Sequence, residues 1–254
     1  MSSALIGHTG FVGMNILAGA KFDALYNSSN IEAIVGREFN CVVCCGVSAA
    51  KWTANKYPEQ DLAAINRLLA CLGRVRAARF VLISTIDVYP NSNGKSERDV
   101  PDDHHPEAYG RHRRAVERFV EQNFANHLIV RLPALFGPGL KKNAIYDLLH
   151  GNMVERVNPA GQFQWYPVSR LPGDLALIQT AGVRLINVAC EPIVMREIFA
   201  AFFPKVQMPA EEGPAASYDM HTEIPKLLGG HGDYHFHKPM IMVELRDYIS
   251  RVRN

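Results

Sequence analysis

The stretch Leu5-Ile6-Gly7-His8-Thr9-Gly10-Phe11-Val12-Gly13 sets a G-x-x-G-x-x-G pattern between a strand-like start and a helix that continues through Asn15, Ile16 and Leu17. The spacing has a mechanical reason. Gly7 permits a tight turn, Gly10 lets the backbone come close to a pyrophosphate, and Gly13 lets the helix pack on the strand. The helix N-terminus offers free N–H donors and a partial positive charge to an anion. A dinucleotide is expected at this turn, with Thr9, Phe11 and Val12 completing the cradle.

Outward from the turn, short apolar runs alternate with longer helical ones, the pattern of parallel strands joined by crossover helices. Strands are expected near 4–6, 24–26, 41–45, 80–84 and 128–132, with helices near 62–72 and 108–124. The fold class is α/β, a Rossmann-type doubly wound parallel sheet. After Pro138-Gly139 the texture changes to isolated helices, such as 144–149, among loops rich in Pro and Gly. The expected division is a dinucleotide-binding domain over 1–140 and a small, irregular lobe over 141–254, with 184–188 returning to the main sheet.

Composition narrows the function classes. Of 254 residues, 48% are hydrophobic and 20% charged, enough apolar material for packed cores and too much for disorder. Lys and Arg total 27 against 25 Asp and Glu, a net charge of +2 that gives no global attraction to nucleic acid or an acidic membrane. No apolar run approaches the roughly 20 residues that span a bilayer, and the start runs straight into a strand. A cytoplasmic protein is the expectation.

Cys41, Cys44, Cys45, Cys71 and Cys190 make an odd count, and three of them lie in the apolar run Cys41-Val42-Val43-Cys44-Cys45. That run reads as a buried strand rather than a disulfide framework or a zinc site. His235 and His237 would share one face of a strand and invite a metal hypothesis, but a solvated turn and edge strand suit them better, so no metal is expected. Trp165 and Tyr166 are read as lobe core in preference to a base-stacking platform. The segment Lys51-Trp52-Thr53-Ala54-Asn55-Lys56 reads as a loop over the cleft, in which Lys51 and Asn55 could hold a sugar or phosphate, or as a surface loop with a packed tryptophan.

The acidic residue that would bind the ribose 2′-OH of NAD is missing at the end of the second strand, where Asn27-Ser28-Ser29-Asn30 stands. Asn27, Ser28 and Ser29 can bond either a ribose hydroxyl or a 2′-phosphate, and Arg37 is the nearest cation for a phosphate. NAD and NADP both stay open, with a lean to NADP.

Further on, Val81-Leu82-Ile83-Ser84-Thr85-Ile86-Asp87-Val88-Tyr89 ends an apolar strand in hydroxyl residues, and Ala108-Tyr109-Gly110-Arg111-His112-Arg113 opens a helix. With the glycine motif and Val130-Arg131-Leu132-Pro133-Ala134-Leu135-Phe136-Gly137-Pro138-Gly139, these segments resemble, in order, the extended short-chain dehydrogenase/reductases, the superfamily of NAD-dependent epimerases and dehydratases acting mostly on nucleotide sugars. The resemblance covers residues 4–139, with a looser likeness over 163–176 and none after about 190.

The resemblance implies that Thr85 bonds the substrate oxygen, Tyr109 is the acid/base, and Cys45, Gly46, Val47 and Ser84 lie along the cofactor. It also places Pro133, Ala134 and Leu135 beside the nicotinamide and Asp87 near an extra acid or base. A homodimer with a small-molecule substrate, such as a nucleotide sugar, is implied too. The chain departs from the family at Arg113, where the Tyr-x-x-x-Lys pattern has its lysine.

Tyr109 and Arg113, four residues apart, share a helix face. A fixed cation about 4 Å from a phenol at an effective dielectric of about 20 contributes roughly 4 kcal/mol, or about three pKa units, which would bring the phenol near 7. Arginine supplies that charge but cannot give up a proton. Two readings follow: an oxidoreductase of altered activity, or a dinucleotide-binding sensor or scaffold without turnover. The remaining basic residues of 111–114 read as a helix face or an oligomer contact.

Overall fold

The computed structural model describes residues 2–211 and 213–253. In chain order the elements are β1 (Ser3–Ile6), α1 (Phe11–Gly19), β2 (Ala24–Tyr26), β3 (Glu38–Cys44), α2 (Lys51–Lys56), α3 (Pro58–Leu72), β4 (Arg76–Thr85), α4 (Ala108–Asn123) and β5 (His127–Leu132). They continue with β6 (Ala134–Phe136), α5 (Ala144–His150), β7 (Gln162–Phe163), β8 (Trp165–Pro167), α6 (Leu171–Thr180), β9 (Leu185–Asn187), β10 (Ile193–Val194), α7 (Met195–Phe202) and α8 (Lys238–Arg253). Among the described residues, no helix is long and apolar enough to cross a membrane.

Six strands form one parallel sheet in the order β2-β1-β3-β4-β5-β9. Leu5 stands between Leu25 and Val43, Val43 faces Val81, and Thr85 ends its strand opposite Leu132. The order reverses between β1 and β3, the switch point at which open α/β sheets bind ligands beyond their strand ends. β2 is one edge of the sheet, β9 the other. From β2 a single 3-10 turn, Ile31–Ile34, leads directly into β3.

Covered on both faces, the central strands read as continuous apolar runs, and every residue of β5 is buried. Ile6, Val42, Phe80, Leu82 and Ile129 meet Ile65, Leu72 and Val120 from the helices in one core. The Phe80 and Phe124 rings stack there with centroids 4.1 Å apart. α3 shows why such a segment is helical: Pro58 starts it, Glu59 and Asp61 complement its dipole, and Ile65, Leu68 and Leu72 recur on one buried face.

The chain divides into two compact units. One comprises residues 1–91, 99–132 and 171–187, and the other 92–98, 133–170 and 188–254. α6 and β9 thus belong with the sheet, and β9 pairs parallel to β5 through Val130 and Ile186.

The second unit holds two small sheets, β6 with β8 and β7 with β10. Trp165 and Tyr166 are buried in its core with Phe199 and Phe236, as core rather than as an open stacking platform. Gln164, also buried, donates to the carbonyls of Cys190 and Met220 and accepts from the Met220 amide, tying three segments together.

Two local expectations change. His235 and His237 do not share a strand: 230–237 is an irregular segment held by isolated bridges, His231 to Tyr234 and Cys190 to Phe236. The glycines there favour turns over an extended edge. The segment 51–56 is the helix α2 rather than a loop, and Trp52 is 69% exposed with the Lys56 ammonium 4.6 Å over its ring. All five cysteines are free, and burial pushes the Cys44 thiol up to about 11.

Candidate active site

The glycine turn lies at the C-terminal end of β1. Gly7 has φ +87°, and a Cβ on it would stand 2.5 Å from the Cys45 carbonyl oxygen. A Cβ on Gly13 would stand 2.1 Å from the carbonyl oxygen of Gly7, so helix and turn touch backbone to backbone. The Gly10 amide donates to the Gly7 carbonyl at 3.0 Å, and Met14 N–H donates back to the Gly10 carbonyl at 2.9 Å. No side chain caps α1, which leaves the amides of Phe11, Val12 and Gly13 without an intrahelical acceptor. The turn is therefore a cradle that only glycine backbone can form, with the first amides of α1 beside it to meet an anion.

Around it, Cys45 N–H donates to the Ile6 carbonyl, holding the start of the Cys45-Gly46-Val47 turn against the first strand. A Cβ on Gly46 would press on Ile6. Asn27 Oδ1 accepts from the amide and hydroxyl of Ser29, and Asn30 Oδ1 accepts from the Asn27 amide, so the turn after β2 is ordered by its own side chains. Ser28 is exposed. Arg37 is placed differently from expectation. It immediately precedes β3, at the N-terminal end of a seven-residue strand, roughly 20 Å from the ligand end of the sheet. It cannot pair with a phosphate bound at β2.

At the end of β4, Thr85 Oγ1 accepts from the Asp87 amide at 3.1 Å and caps the 3-10 turn that follows. The same hydroxyl hydrogen-bonds the phenol of Tyr109, from the first turn of α4. Tyr109 is only 6% exposed. Its placement is enforced from two sides: the Tyr109 amide donates to Asn55 Oδ1 at 2.9 Å, and Gly110 has no room for a Cβ between the Asp87 carbonyl and His105. Lys51 bridges Asp87 and Glu107, 3.0 Å from each. Burial raises the Glu107 carboxyl, but Lys51 outweighs it and holds it below the usual range.

Arg113 does not act as the lone cation expected. Its guanidinium lies over the Tyr109 ring, Cζ 4.1 Å from the centroid, and its Nη1 and Nη2 grip Asp61 Oδ2 and Oδ1 at 2.5 and 3.0 Å. Nη2 also donates to the Ser48 carbonyl. The phenol moves opposite to the expected direction, and burial is the largest cause. Burial pushes it above 10; Arg113 pulls it down, Asp87 pushes it up, and Thr85 and Lys51 do not restore the balance. A cation stacked on the ring face and paired to a carboxylate cannot bring the hydroxyl near 7.

The rest of 111–114 divides, with Arg111 exposed as on a solvated helix face. His112 and Arg114 are buried with Arg113, and Arg111 donates to the His105 carbonyl. Arg114 reaches Glu117 at 3.1 Å, and Arg131 grips Glu117 through Nε and Nη2 at 2.9 and 2.7 Å. Ser84 donates to the same Glu117 at 2.6 Å, which ties its hydroxyl into this buried network beneath the site. Pro133, Ala134 and Leu135 follow β5 and belong to the second unit, where Ala134 and Leu135 pair with Trp165 and Tyr166.

Asp61, Glu107 and Glu117 were not singled out in the sequence. A carboxylate in the first turn of a helix reads as a partner of the dipole, and only tertiary pairing distinguishes Asp61 from Glu59.

A model of the "NAD dependent epimerase/dehydratase family" matches residues 18–161. The chain belongs to that family. The matched segment contains Thr85, Tyr109 and Arg113 and begins after the glycine motif, which the cradle geometry supports independently.

Among solved structures, MoeE5 in complex with UDP-glucose and NAD is similar with TM-score 0.74 at 16% identity, over 100% of this chain and 99% of that one. UDP-glucose 4-epimerase from Thermotoga maritima gives 0.75 at 13%, over 100% and 99%. A dTDP-4-dehydrorhamnose reductase from Bacillus anthracis, in complex with NADP, gives 0.72 at 15%, over 99% and 100%. At these identities the likeness shows the fold. No curated protein matches the sequence. Family membership makes the chain an enzyme of the NAD-dependent epimerase/dehydratase class.

Proposed function

We propose that the protein is an NAD(P)-dependent oxidoreductase of the epimerase/dehydratase class acting on a nucleotide sugar, in which Tyr109 exchanges a proton with the substrate oxygen and Thr85 polarises that oxygen. The observation that carries the reading is the Thr85 hydroxyl hydrogen-bonded to the Tyr109 phenol, at the same C-terminal end of the parallel sheet as the glycine cradle. The cradle fits a dinucleotide: bare amides at the start of α1 meet the pyrophosphate, and Gly7 and Gly13 make room that any Cβ would fill. A nicotinamide held there supplies hydride exchange at a carbon bearing oxygen. The turn 27–30, with amides and hydroxyls but no charge, binds the ribose through hydrogen bonds.

The protonation state suits the reductive step. A phenol held above its ordinary value is protonated at neutral pH, so Tyr109 Oη gives its proton to the oxygen of a carbonyl that is being reduced. Thr85 keeps that oxygen in line, and Lys51, between Asp87 and Glu107, keeps Glu107 ionised. The solved neighbours carry UDP-glucose with NAD or carry NADP, which supports the choice of nucleotide sugars and both cofactors as probes.

The test pairs purified protein with NADH or NADPH and a panel of UDP- and dTDP-linked 4-keto sugars. Tyr109→Phe is expected to abolish turnover while cofactor affinity stays within a few fold. Unchanged turnover removes Tyr109 from the mechanism. Tight cofactor binding with no conversion of any sugar favours the second reading, a dinucleotide sensor, which the Asp61-bound Arg113 motivates.

A further inference from the structure

Asp61 reaches from α3 to α4 and meets two consecutive side chains. Its Oδ2 lies 2.8 Å from Nδ1 of His112 and 2.5 Å from Nη1 of Arg113, and its Oδ1 accepts from Nη2 at 3.0 Å. The Asp61 and Arg113 side chains are 9% and 5% exposed, so the pair is little screened by water. Burial pushes the Asp61 carboxyl up, but the bonds from Arg113 and His112 outweigh it and hold the group below the usual carboxylate range. It is an anion at neutral pH. The fork-to-fork pairing fixes the guanidinium plane, and that plane covers the ring of Tyr109.

We propose that Asp61 is a positioning residue that clamps Arg113 against the Tyr109 ring and cancels its charge there, so that Tyr109 remains a neutral phenol able to donate its proton. The inference rests on the reading of Tyr109 as the proton carrier.

The charges around the phenol bear this out. Arg113 faces it from α4, Lys51 from α2, and Asp87 from the turn after β4; Glu107 joins through Lys51, and Asp61 joins from α3 through Arg113. Burial is the largest influence toward the neutral phenol, and two cations against three carboxylates make the set net anionic, which acts in the same direction. Without Asp61 the set is balanced, and Arg113 stands unpaired about 4 Å from the ring centre, where a free cation pulls a phenol down by up to roughly three pH units. A lysine could supply charge at this position but not a planar fork, which accounts for arginine here.

The experiment is an ultraviolet titration of tyrosinate in the purified full chain, comparing the native protein with Asp61→Asn, with folding checked by circular dichroism at each pH. Subtracting the same titration after adding Tyr109→Phe isolates the one phenol. The native protein should show Tyr109 titrating above 10 and Asp61→Asn below about 9, a shift of at least tenfold in the proton affinity.

Loss of clamping alone would only expose the ring and bring it back toward 10, so a value at or above 9 in folded Asp61→Asn overturns the proposal. The double variant Asp61→Asn/Arg113→Gln removes both charges and is expected to titrate at or above 10; a lower value overturns the proposal even where the single variant does not fold. The titration needs no substrate, so a failure of Tyr109→Phe to affect turnover would sink the enzymatic reading without touching this result.

Discussion

Glu117 is wholly buried, and its carboxylate meets two arginines and the Ser84 hydroxyl. Removing one partner of such a set leaves uncompensated charge in the interior, which costs far more than the set contributes when whole. Glu117→Ala should therefore destabilise the protein by about 3–5 kcal/mol, measured as a lower urea midpoint at unchanged slope. A loss under 1 kcal/mol would mean that Arg131 and Arg114 find other partners. The roles of Tyr109 and Arg113 divide at this scale. Their spacing of one helical turn was readable in the sequence, and the ring-stacked guanidinium agrees with it. The sign of the phenol's shift was not readable, because it depends first on how deeply the fold buries the ring and then on Asp87, 22 residues away along the chain.

At the scale of elements, the joints between segments depend on single polar groups. The irregular stretch 230–237 is attached to 188–190 by the His235 amide, which donates to the Ala189 carbonyl, and by His235 Nδ1, which accepts from the Ala189 amide. Accepting requires a neutral ring, and burial lowers the His235 value to about 4. An unfolded histidine titrates near 6.5, so the native state resists a proton that the unfolded chain takes up. This contribution is whole above about 6.5 and is lost as pH falls toward 4, up to about 3 kcal/mol. Thermal unfolding followed from pH 7 to 4 should show that decline, and His235→Gln should flatten it; identical slopes would exclude His235 as the cause.

The strands β1 to β5 were legible through their apolar runs, and β2 falls at the expected residues 24–26, but β3 and β4 begin earlier than expected, at Glu38 and Arg76, because their polar first halves carry no such run. The segments 51–56 and 230–237 were not legible, since six residues that mix Trp52 and Ala54 with polar side chains, and a stretch broken by Gly230 and Gly232, carry no period that separates helix, loop and strand.

For the whole molecule, a cofactor that binds only the folded state must stabilise it by mass action. Saturation with NADH or NADPH at about 100 times its Kd contributes about 2.7 kcal/mol, which for a chain of this size raises Tm by roughly 5–11 °C. Scanning fluorimetry with each nucleotide measures this and ranks NAD against NADP. No rise with either would remove the dinucleotide from the glycine cradle. A homodimer is part of the same proposal, and light scattering tests it.

By itself the sequence determined the parallel α/β sheet, the glycine turn after its first strand, and the shared helix face of Tyr109 and Arg113. Each of these follows from local rules: apolar runs make buried strands, glycines alone fit where a Cβ would strike backbone, and residues four apart share a helix face. Only the tertiary structure decided which charges survive in the site. Arg113 is neutralised by Asp61, Ser84 is held by Glu117, and Arg37 stands at the wrong end of its strand. Electrostatic effects act through space between residues distant in sequence, and no reading along the chain contains those distances.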